Sequence, residues 1–376
     1  MTRILGIACC CVLLLGASVP AADTSADAEK TALAMEALGR LQGVDLEQNA
    51  RLKEAVLRVL EKTRGTPNFV KLVQQFKLKG QESGLLEVAA KNSANETGVE
   101  AMRLILAGKY GGMLQAALTS TNTSSAVKIA EAIGNAGEKE AVMRLLLPLV
   151  PEAQNNLALR KQAVRSLAQS AEGAGAILKL AREDKLPDDL KFTASSELNR
   201  VRWPELKQEA AKLLPLPQGQ NAQPLPPLAE LAKLNGNPVN GAKVFSSATV
   251  GCNNCHQIKG QGIDFGPNLS EIGSKLGKDA LFEAILDPSA GISFGFEAWQ
   301  LELKSGDEAY GLIASDTAEE IAIKAVGGIV TRYKKAEVTK REQMKLSIMP
   351  AGLQQNMTTQ ELVDLVEYLA SLKKGS

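Results

Sequence analysis

The chain has 376 residues, enough for two or three domains. A hydrophobic share of 45% allows a folded core throughout, and a formal charge of +1 gives no support for nucleic-acid binding. Aromatics make up only 4%, and the first half is rich in Ala, Leu, Lys and Glu, which favours helices over a β-sandwich.

Residues 1–21 read as a secretory signal. Arg3 supplies the positive start, Ile4 to Ala17 the short apolar run, and Val19 and Ala21 the small positions before a cut near Ala21–Ala22. The run is shorter than the roughly 20 apolar residues of a spanning helix, so the mature chain is expected to have no transmembrane span. The expected location is the periplasm or cell envelope. Cys9, Cys10 and Cys11 lie in this leader, so the mature chain has no spare pair for a disulfide framework.

Residues 22–214 read as one helical domain. Ala126, Ile129, Ala130 and Ile133 form an apolar face of period 3.6, and a turn is expected at Gly134–Gly137. A second helix runs through Val142, Leu145 and Leu146 to Pro148. The layout returns at Leu159, Ala163, Val164 and Leu167, and again at Leu190, Ala194 and Leu198. Ile133 to Leu167 is 34 residues and Leu167 to Leu198 is 31, a period that means stacked helical hairpins. The pattern resembles the HEAT-like repeat class. Earlier in the domain, Asn95 to Gly98 and Gly111-Gly112 are expected to be turns. A repeat stack builds an extended surface that commonly holds another protein. Residues 215–235 are the expected linker, with five prolines over 215–227 that preclude a helix.

The last stretch, 236–376, carries the chemistry. Cys252-Asn253-Asn254-Cys255-His256 reads C-x-x-C-H, the attachment pattern of a c-type haem. Two thiols three positions apart can add to the two vinyl groups of one haem, and the adjacent imidazole then ligates the iron. Cys252 and Cys255 are the only cysteines after residue 11, and His256 is the only histidine. A zinc site needs four ligands that this chain cannot supply. The expected cofactor is one covalently attached haem c. With no second histidine, Met or Lys must supply any sixth ligand, and Met344, Met349 and Met357 are the candidates in this stretch.

Around the motif the pattern resembles a class I cytochrome c. A first helix would carry Gly241 and Phe245. A last helix would open on the capping box Thr358-Thr359-Gln360-Glu361 and continue with Leu362, Leu365, Val366, Leu369 and Leu372 on one stripe. The resemblance implies that the two helices cross at Gly241, beside Leu365 and Tyr368. It implies that Pro267, in Gly266-Pro267-Asn268-Leu269, accepts the outer hydrogen bond of the haem histidine. It also implies that Met349, in Ser347-Ile348-Met349-Pro350, is the axial sulfur, which with His256 would complete the iron's ligands.

His256 to Met349 is 93 residues, longer than usual for the family. The excess, 294–346, alternates like strands through Trp299, Leu301, Leu303, Tyr310, Leu312, Ile321, Ile323 and Ala325, with turns at Gly306-Asp307 and Gly327-Gly328. A small antiparallel β insertion is therefore expected. The combination resembles the C-terminal haem-binding domain of planctomycete and verrucomicrobial proteins, which shares C-x-x-C-H, G-P-x-L, I-L-x-P-S and S-x-M-P-x-G-L. The expected fold is mainly α: HEAT-like repeats followed by a cytochrome c-like domain with the β insertion. The expected function is electron transfer rather than enzymatic catalysis, with the repeats docking a redox partner such as a sugar or alcohol dehydrogenase. A peroxidase-like haem enzyme and a haem-based redox or gas sensor are the alternatives.

Overall fold

The computed structural model describes residues 24–41, 43–108, 110–215, 225–247 and 250–375. The leader and positions 216–224 of the Pro-rich segment lie outside the described residues. Among those described, no helix is long and apolar enough to cross a membrane.

The chain is mainly helical. Among the described residues twelve helices come first: α1 (Thr24–Gly39), α2 (Ala50–Lys62), α3 (Pro67–Phe76), α4 (Glu82–Lys91), α5 (Glu96–Ala107), α6 (Gly111–Leu118), α7 (Thr123–Ala136), α8 (Lys139–Leu146), α9 (Leu157–Leu167), α10 (Ala171–Arg182), α11 (Asp188–Leu198) and α12 (Pro204–Leu213). They share one apolar core running from Leu38 to Leu214. The predicted stripes of α7, α9 and α11 are buried in it, and α9 packs between α7 and α11. Gly134 belongs to α7, where a Cβ would meet Ser166 of α9; the chain turns at Gly137, in the left-handed region at φ 77°.

Two predicted turns are helix starts instead. Asn95 is the N-cap of α5 and its Oδ1 accepts from Gly98 N; such a cap stabilises a helix by about 1 kcal/mol. A Cβ on Gly98 would lie 2.0 Å from Asn92 O, so the glycine lets α5 pack directly on the end of α4. Gly111 and Gly112 open α6. Burial of Leu114 and Leu118 outweighs the helix propensity the glycine pair lacks.

A second core serves the C-terminal helices α13 (Leu228–Leu231), α14 (Pro238–Ser246), α15 (Lys278–Leu286) and α16 (Thr359–Ser371). Leu231 is fully buried there, so the chain has joined this core before the end of the expected linker. Thr358 Oγ1 accepts from Glu361 N at 2.9 Å and Glu361 Oε2 accepts from Thr358 N at 2.7 Å, the reciprocal cap that the sequence predicts. α14 crosses α16 at Gly241. A Cβ there would lie 2.0 Å from Asp364 O, and Phe245 meets Tyr368 edge-on with ring centroids 6.1 Å apart.

Between α15 and α16 comes an antiparallel sheet of β1 (Ala298–Leu303), β2 (Glu308–Asp316), β3 (Glu320–Lys324), β4 (Val330–Lys334) and β5 (Val338–Gln343), in the order β4-β3-β2-β1-β5. The connections at Gly306 and at Gly327-Gly328 use positive φ, as the turn residues predict. Leu301, Ala309, Ile321 and Ile323 form the sheet's own small core.

Candidate haem site

Gly251, at φ 66°, opens a single 3-10 turn over Cys252–Asn254. Cys255 N and His256 N both donate to Cys252 O, at 3.1 and 3.0 Å, so both cysteines and the histidine belong to one turn. Both thiols are half-buried and free, and Cys252 abuts the core between α14 and α16. Burial pushes the Cys252 thiol up to about 11. It also raises Cys255, against the pull of the Arg200 guanidinium. A protonated Cys252 thiol against an apolar core suits the vinyl edge of a haem.

The following loop folds back over this turn. Ile263 N donates to Asn253 O at 2.9 Å, Phe265 N and Gly266 N to Cys255 O, and Leu269 N to Gln257 O at 2.9 Å. That brings Pro267 O within 2.8 Å of His256 Nδ1. A carbonyl oxygen only accepts, so Nδ1 carries the proton and Nε2 keeps its lone pair. Burial holds the imidazole below its ordinary range, with the Pro267 bond opposing. A neutral ring with an oriented Nε2 is the form a metal takes. A Cβ on Gly266 would lie 2.7 Å from His256 Cε1 and 2.9 Å from Nδ1, so the glycine leaves the space the ring occupies. The donor set and this cradle fit a covalently held haem.

The three methionines differ in setting. Met357 is buried core, 5% exposed. Met344 continues the β5 edge, its N donating to Ala298 O at 2.8 Å. Met349 is half-buried in a loop and packs against the same core as Cys252. Its N donates to Ser347 Oγ at 3.2 Å, and Ser347 N donates to Ser289 Oγ at 3.1 Å, which ties the loop to the end of α15. The structure thus joins Cys252, Cys255, His256 and Pro267 in one hydrogen-bonded turn, with Met349 on a separate loop over the same core. Sequence reasoning named Gly266 only as the first residue of the G-P-x-L motif, with no role of its own, and did not single out Gly251 or Gly262. Gly262, at φ 102°, has His256 O 2.2 Å from where its Cβ would be. Positive φ and close backbone approach leave no local signature beyond the glycine itself.

No curated protein matches the chain. Residues 238–301 match the family model for cytochrome c. The match runs from α14 through the C-x-x-C-H turn and α15 and stops inside β1, so the rest of the sheet, the Met349 loop and α16 lie beyond it. The C-terminal part of this chain therefore contains a cytochrome c domain, which implies covalently bound haem c and a role in electron transfer.

Proposed function

We propose that the protein is an exported, monohaem c-type cytochrome whose HEAT-like repeats dock a redox partner, such as a periplasmic dehydrogenase. The observation that carries the reading is the His256 Nδ1–Pro267 O bond of 2.8 Å inside the C-x-x-C-H turn. It orients one neutral imidazole and strengthens its Nε2 as a ligand. The haem supplies one-electron chemistry when bound; this chain anchors it through Cys252 and Cys255 and sets its environment. His256 and Met349 are the proposed iron ligands. Cytochrome c domains are typically extracytoplasmic, in keeping with export through the 1–21 leader. The motifs over 347–353 support the planctomycete and verrucomicrobial type of domain.

Two measurements test this. Acid–acetone extraction of the purified protein should leave the haem on the chain; release of all colour would exclude covalent attachment. Met349→Ala should remove the near-infrared band of sulfur-ligated ferric haem and let carbon monoxide bind the ferrous protein. Met344→Ala and Met357→Ala should change neither signal. Loss of the band in Met344→Ala instead would move the sixth ligand to the end of β5.

A further inference from the structure

The sheet presents one face to two different parts of the molecule. Directly paired residues of an antiparallel sheet share a face, as do residues two apart on one strand. Glu308, Tyr310 and Leu312 therefore lie on one face with Lys324, which pairs with Leu312, and with Arg332, which pairs with Ala322 two residues before Lys324. Leu312 and Ala322 are buried there although they lie outside the sheet's own core.

Four of these residues reach beyond the sheet. Arg202, between α11 and α12, stacks its guanidinium 4.3 Å from the Trp203 ring and 4.4 Å from the Tyr310 ring, and its Nη2 donates to Glu308 Oε2 at 2.7 Å. Lys139 of α8 donates to Gly306 O at 2.9 Å, and Arg332 pairs with Glu96 of α5. Toward the haem side, Lys324 Nζ bonds Asp264 Oδ2 at 2.8 Å, and Gly328 packs beside Ile263. Ile263 and Asp264 belong to the loop that folds back onto the C-x-x-C-H turn. Two terms oppose the contact: Arg202 Nε is buried without an acceptor, and burial together with the Asp307 carboxylate raises the Glu138 carboxyl.

We infer that the β insertion is a strut between the helical-repeat part and the haem-attachment loop, with Arg202 clamped by Tyr310 and Glu308 as its main fastening. The two parts then stay together without a covalent link through 216–224. The strut does not depend on the redox reading. Its consequence does: a partner held by the repeats would sit at a set distance from the iron.

The test uses the full haem-loaded chain with residues 216–224 replaced by a site-specific protease site. After cutting, size-exclusion chromatography followed by haem absorbance should show the red fragment eluting with the repeat fragment. Arg202→Glu should weaken this association by about tenfold or more, the loss expected from removing a stacked, charge-paired guanidinium. Combining it with Glu308→Arg should recover part of the association. Tyr310→Ala removes one stacking face without a charge change and should weaken association, so a misfolded Arg202→Glu would not decide the matter. Separation of the wild-type halves on cutting would overturn the strut. Undiminished co-elution of cut Arg202→Glu and Tyr310→Ala proteins would overturn the assignment of the fastening.

Discussion

Gly266 shows how a single missing side chain makes room for a ligand. Its amide is anchored on Cys255 O at 2.6 Å, and its neighbour's carbonyl holds His256. Neither backbone can yield easily to a Cβ 2.7 Å from the imidazole. Gly266→Ala should therefore rotate or push the ring and weaken the Pro267 bond, while the haem stays attached through the two cysteines. The expected outcome is a shifted Soret maximum and an altered reduction potential. Gly291→Ala, with nothing within 4 Å of its Cβ and no positive φ, is the control and should leave both unchanged. The reactive residues of this site were plain in the sequence because their chemistry is encoded in five adjacent positions. The need for glycine at 266 was not, since it arises from a ring ten residues away that only the folded loop brings near.

At the scale of elements, the crossing of α14 and α16 depends on Gly241. A Cβ there would be 2.0 Å from Asp364 O and 2.7 Å from Tyr368 Cβ, so any larger residue must force the helices apart. Overpacking of this kind costs about 1–3 kcal/mol. Gly241→Val should lower the melting temperature of the haem-bearing part, read by the loss of near-ultraviolet circular dichroism on heating. An unchanged melting temperature would mean the crossing adapts freely. The helices themselves were legible from apolar period and caps, as at α7 and α16, and the strands from alternation at Trp299, Leu301 and Leu303. Strand order was not legible. β5 returns to pair with β1, setting Leu301 opposite Arg341, and no local pattern specifies a partner so distant along the chain. The α6 start at Gly111-Gly112 was misread as a turn for a related reason, because its helical state is decided by where Leu114 and Leu118 are buried.

At the scale of the molecule, the Pro-rich composition of 215–227 suggested a spacer between independent parts. The contacts that bear on this come from residues far apart in sequence, such as Arg202 with Glu308 and Glu96 with Arg332, and lone arginines and glutamates carry no sign of their partners. If the sheet fixes the arrangement, the length of the covalent connection matters little. Doubling a flexible connection costs only about 0.6 kcal/mol of closure entropy, less than a stacked and paired guanidinium contributes. Inserting ten Gly and Ser residues within 216–224 should then leave the radius of gyration, the melting temperature and the reduction potential close to those of the parent protein. The same insertion in an Arg202→Glu background should enlarge the radius of gyration, since the main fastening is gone and only the exposed Arg332–Glu96 pair and the Lys139 contacts remain beside the connection. Expansion in the parent background, measured by small-angle scattering, would show that the connection and not the sheet sets the distance between the N-terminal helices and the haem.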